Sequence, residues 1–157
     1  MAIIVEDGSL VSGANSYISI AEFKAWAEAR GVDYESDYTV AQQILRAMDY
    51  IETLNFKGLK HTETQSLQWP RDMVLIDGYS VDADEIPAQL KAAVYEAVKL
   101  EIEGDSKFAP TERETVSEQV DGISVTYKSN TGMRRSTPAM ASALRKLTES
   151  INMVGRA

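Results

Sequence analysis

Trp69-Pro70-Arg71 is the triplet with the most chemical character in this chain of 157 residues. An indole offers a face on which a nucleobase or a partner's side chain can stack, and a neighbouring guanidinium supplies an anchor. The same pair also reads as structure, with Trp69 plugging a core and Arg71 paired with a nearby acid. Other reactive side chains are scarce. The chain has no cysteine, which removes disulfides, thiolate nucleophiles and sulfur-ligated zinc. His61 is the single histidine and lies between Lys60 and Thr62, so neither a histidine-based triad nor a His-rich metal site is expected. Asp82-x-Asp84-Glu85 gathers carboxylates but lacks the glycine and distal glutamate of a calcium loop; acids just ahead of Ile86-Pro87 suit the positive end of a helix dipole instead. Gly8, Gly13 and Gly58 match neither a phosphate loop nor a dinucleotide fingerprint. These residues predict a protein without catalytic residues, cofactor or metal.

Charge narrows the partners. Twenty-four Asp and Glu against sixteen Lys and Arg leave a net charge of −8, which disfavours a surface that grips nucleic acid all over. The distribution is uneven: residues 1–104 hold 18 acids and 8 bases, whereas from Lys128 onward six bases face Glu149 alone. An acidic body with a basic end predicts different partners for the two ends. No apolar run approaches the ~20 residues that span a bilayer, and Met1–Val5 lacks the basic flank of an export signal. A soluble protein made in the cytosol, with no membrane partner, is the expectation.

The elements that must position these residues are mostly helical. Ser19 and Glu22 form a capping box that opens a helix over about 20–30, closed by Gly31. A second box at Thr39 and Gln42 opens a helix to about Phe56, with Val40, Ile44, Ala47, Met48, Ile51 and Leu54 on the 3.6-residue period. Residues 57–86 read as a long irregular loop, of the kind that is often functional. Ile86-Pro87 starts a third helix, striped by Leu90, Ala93, Val94, Ala97 and Leu100 and closed by Gly104.

The remainder changes character. Asp121-Gly122, flanked by alternating residues, predicts a β-hairpin with 120 opposite 123, 118 opposite 125 and 116 opposite 127. Val116, Val120, Ile123, Val125 and Tyr127 would then form its candidate interface. After a polar link, Thr137-Pro138 starts a last helix with Met140, Leu144, Leu147, Ile151 and Val154 along one side. Arg134, Arg135, Arg145 and Lys146 give that end its positive charge, so residues 129–157 read as a docking segment. The alternative is that the helix folds back as a fourth core helix. The expected architecture is therefore mainly α, a small helical bundle with a protruding β-hairpin and a C-terminal helix, divided as 1–104, 105–128 and 129–157.

Several motifs together resemble one family. They are Val5-x-Asp7-Gly8, Gly13-Ala14-Asn15-Ser16-Tyr17 with Ser19 and Glu22, Ala47-x-x-Tyr50-Ile51, Phe56-Lys57-Gly58, Gln65-x-Leu67-x-Trp69-Pro70-Arg71 and Ile86-Pro87. Over roughly residues 3–104 the chain is similar to the head–tail connector (head-completion) adaptors in the neck of tailed bacteriophages. Some members of that family carry the description DnaT-like single-stranded-DNA-binding protein. The resemblance implies a structural virion protein without enzymatic activity, made in the host cytoplasm and placed at the portal vertex. It implies a ring, usually of twelve copies, between the portal protein and a tail-side neck protein, with genomic DNA passing through unbound. On that reading Trp69, Arg71, Arg134, Arg135, Met140, Leu144, Arg145, Lys146, Leu147, Ile151 and Val154 form the partner interface. The alternative is a single-stranded-DNA-binding accessory protein, favoured by Trp69, Tyr79 and the basic end.

Overall fold

The computed structural model describes residues 2–104, 117–120, 123–126 and 137–149. Helix α1 spans Ile20–Glu28, and the predicted box is present: the Ser19 hydroxyl accepts from the Glu22 amide while the Glu22 carboxylate accepts from the Ser19 amide. Helix α2 spans Asp37–Ile51 and starts earlier than its sequence signal, because Ser36 rather than Thr39 caps it, accepting from the Thr39 amide at 3.3 Å. It also stops short of Phe56, since the chain turns over 52–54 and Gly58 follows with φ +73°. Helix α3 spans Ala88–Ile102. Helix α4 spans Pro138–Leu147, with Pro138 in its first turn and the Thr137 hydroxyl accepting from the Met140 amide. The architecture is mainly α.

These helices share one core. Phe23 of α1, Ile44 and Ile51 of α2, Leu90 and Val94 of α3, and Met140 and Leu147 of α4 are each 0% exposed. Helix α3 lies between α2 and α4. The docking expectation for 129–157 is corrected over its described part: Met140, Leu144 and Leu147 belong to the chain's own core. Burying each side chain contributes about 1.5–3 kcal/mol, which favours the fold-back. Beyond α4 the chain is stitched to the segment after α2. The Lys57 amide donates to the Leu147 carbonyl, the Glu149 amide donates to the Asn55 carbonyl, and Phe56 and Thr148 form an antiparallel bridge. Outside the core centre, the Trp26 ring stacks on Phe23 and Tyr95, with the Arg30 guanidinium over it.

The stretch expected to be irregular holds two small antiparallel hairpins. Strands β1 (Leu59–Lys60) and β2 (Arg71–Asp72) pair Leu59 with Asp72 and Lys60 with Arg71. Strands β3 (Leu75–Ile76) and β4 (Tyr79–Ser80) pair Leu75 with Ser80 and Ile76 with Tyr79. Asp77 and Gly78 turn the second hairpin with φ of +53° and +89°, as a two-residue type I′ turn requires. Strands β5 (Ser117–Val120) and β6 (Ile123–Thr126) pair in the expected register, Val120 with Ile123 and Glu118 with Val125. The Asp121-Gly122 turn, Val116 and Tyr127 lie outside the described residues. Among those described, no helix is long and apolar enough to cross a membrane.

Candidate nucleic-acid interface

The hairpins of residues 59–80 are held from below by polar anchors. Trp69 is 0% exposed and meets Phe56 edge to face, with centroids 5.8 Å apart. Its amide donates to the Tyr17 hydroxyl, which donates to the Glu52 carboxylate at 2.5 Å; the other Glu52 oxygen accepts from the Gln68 amide. Burial pushes the Glu52 carboxyl above its ordinary value. Burial also raises the Tyr17 hydroxyl, with the Glu52 charge adding to the effect, so the phenol keeps its proton and its role as donor.

Arg71 completes the anchor. It is 8% exposed and donates to the carbonyls of Phe56, Lys57, Gly58 and Gln68, and to the Gln68 side-chain oxygen. The sequence expectation of an acid partner is corrected, since every one of these acceptors is a neutral oxygen. Burial lowers the guanidinium below its ordinary value, and it remains a cation. Gly58 is required beside it, because a Cβ there would lie 2.2 Å from the Asp72 carbonyl oxygen and φ is +73°. Trp69 and Arg71 are therefore structural supports, and the surface reading of the pair is corrected.

The same stretch also exposes large apolar side chains. Leu59, Met73, Leu75 and Tyr79 are four of the six large hydrophobic residues exposed among those described, and Tyr79 reaches 80%. Met73 also holds φ +60°, an uncommon backbone for a non-glycine residue, with its side chain 79% exposed. The β3–β4 register puts Leu75 on one face of its hairpin and Tyr79, with Ile76, on the other, so both faces expose a large apolar side chain, a feature of binding surfaces. Cations border the hairpins. Lys60 is exposed, His61 Nδ1 lies 3.0 Å from Asp72, and Lys146 Nζ lies 2.6 Å from Asp77 at the hairpin turn. Arg145 is exposed on α4.

Of the remaining sequence candidates, Val120, Ile123 and Val125 lie on β5 and β6. Arg134, Arg135, Ile151 and Val154 lie outside the described residues. No group of three or more His, Asp or Glu among the described residues is placed to hold a metal ion. Sequence reasoning named Tyr79 but missed Leu59, Met73 and Leu75; the Asp77-Gly78 pair carried the signal that would have exposed the hairpin of Leu75.

The fold and these hairpins together define a class: a small helical domain with short hairpins that expose aromatic and aliphatic side chains. The whole chain, residues 1–157, matches the family model described as "Putative DnaT-like ssDNA binding protein". The chain belongs to that family. No curated protein and no solved structure matches it. The family match corrects the head–tail connector reading. The description is one of single-stranded-DNA binding, which conflicts with portal and neck partners, a connector ring and DNA that passes unbound.

Proposed function

We propose that this protein binds single-stranded DNA and catalyses no reaction of its own. The observation that carries this is the family match over residues 1–157. The exposed hairpins suit the chemistry. Tyr79 offers an open ring for stacking, and Leu59, Met73 and Leu75 offer apolar contact to unstacked bases. Lys60, Arg145 and Lys146 stand nearby for phosphate contacts, and six of the sixteen bases lie from Lys128 onward. The acidic body has a use in this scheme. Duplex DNA carries a denser charge and hides its bases, so an acidic surround penalises duplex more than a single strand.

Fluorescence anisotropy with a labelled oligothymidylate of about 30 nucleotides, between about 50 and 200 mM salt, tests the proposal. The expected result is salt-sensitive binding, weaker for duplex of equal length. Tyr79→Ala should lose about 1–3 kcal/mol with an unchanged melting temperature. No binding at the lowest salt, or equal binding of duplex, would refute it.

A further inference from the structure

The β3–β4 hairpin leans over the start of α3 and leaves a cleft of about 340 Å³. That is at the small end of ligand pockets, which run about 300–1,000 Å³. Ile76, Val81 and Pro87 form its apolar lining, Tyr79 stands at its edge, and Glu85 and Gln89 supply its polar groups. Asp77, which also borders the cleft, is held by Lys146 at 2.6 Å. The largely polar lining thus combines an open aromatic ring, three apolar side chains, one carboxylate without an ion-pair partner among the described residues and one amide, with an ammonium bound to Asp77.

Resting on the single-stranded-DNA reading, we infer that this cleft receives one base of the bound strand and prefers a base with an exocyclic amine, cytosine or adenine, over thymine. Tyr79 stacks on the ring. The Glu85 carboxylate is an acceptor only, so it takes a hydrogen bond from the cytosine N4 or adenine N6 amine. Gln89 can serve the neighbouring ring nitrogen. Thymine places a carbonyl oxygen where the amine would be, and that oxygen faces the carboxylate with no proton between them. Lys146 lies where it can pass from Asp77 to the phosphate of the same nucleotide. A carboxylate at the base edge would repel the strand's phosphates, so it is useful there only if it reads a donor.

The test compares labelled oligo(dC) with oligo(dT), each of about 20 nucleotides and so longer than a ~4–16 nucleotide site, at neutral pH and one salt concentration. The wild-type protein should bind oligo(dC) roughly tenfold more tightly. Glu85→Gln, at an exposed position where the fold should tolerate it, should bring the two affinities to within about twofold. The new amide can turn either its oxygen or its nitrogen toward the base. Equal wild-type affinities would overturn the cleft, as would a preference that survives both Glu85→Gln and Gln89→Ala. Failure to bind either oligonucleotide would instead remove the single-stranded-DNA reading on which it rests.

Discussion

Glu6 and Arg71 carry opposite charges and solve the same problem. Glu6 is 1% exposed; one carboxylate oxygen accepts from the amides of Gly8 and Leu10, the other from Val11. Arg71 is buried nearly as deeply and gathers carbonyls from residues 56–58 and 68. Each makes a loop fold round a charge, the anion collecting N–H groups and the cation collecting C=O groups. Neither needs an ion-pair partner, because several aligned peptide dipoles replace the water each has lost. The two loops also touch, through the Gly13 amide on the Ser66 hydroxyl at 3.0 Å. A buried charge that gathers peptide groups can thus fix backbone where strands are only two residues long.

The comparison breaks first at Arg71. Arg71→Ala leaves buried carbonyls without donors and should cost about 3–5 kcal/mol, read by denaturant melts. Arg71→Lys should recover only part, because one ammonium cannot reach acceptors spread over four residues. Glu6→Gln should cost less, about 1–3 kcal/mol. Its oxygen can still serve two amides, but its nitrogen would meet the third donor. If Glu6→Gln were as damaging as Arg71→Ala, the two charges would not be equivalent organisers.

Glu52 offers the smallest and most selective test, since it carries charge and also faces a donor that keeps its proton. Burial raises its folded value above the unfolded one. Between those values the folded chain holds a proton that the unfolded chain has released, so this contribution to stability is lost as pH rises through the window. Glu52→Gln removes the titration. The stability of the variant relative to wild type should therefore climb with pH across that range, as measured by melts at a series of pH values. A flat difference would mean that the Tyr17 and Gln68 hydrogen bonds cancel the burial effect.

What the sequence made legible was local. Ser19 and Glu22 cap α1 because three residues suffice to define a capping box, and the β5–β6 register follows the pairing expected from an Asp-Gly pair between the strands. Asp77-Gly78 obeys the same rule, but its flanking residues do not alternate as cleanly, and the hairpin was hidden in an apparent loop. The partners of Arg71 were not legible, since backbone oxygens 13–15 residues away leave no mark on side-chain identity. The stripe of α4 was ambiguous for a different reason: a helix that docks outward and one that folds inward require the same apolar spacing. Of the exposed apolar residues on the hairpins, Tyr79 was named and Leu59, Met73 and Leu75 were missed.

The sealing of Trp69 has an optical consequence. Its indole is 0% exposed, and its Nε1 hydrogen has no acceptor among the described residues. Such a ring emits at short wavelength and is shielded from a soluble quencher such as acrylamide. It stands behind the hairpins rather than on them, so an oligonucleotide seated over Tyr79 leaves its surroundings unchanged. Trp26, the other indole, is already stacked between Phe23 and Tyr95 under Arg30. A titration followed by tryptophan emission would therefore look flat at saturation. The useful chromophore belongs on the ligand or at position 79.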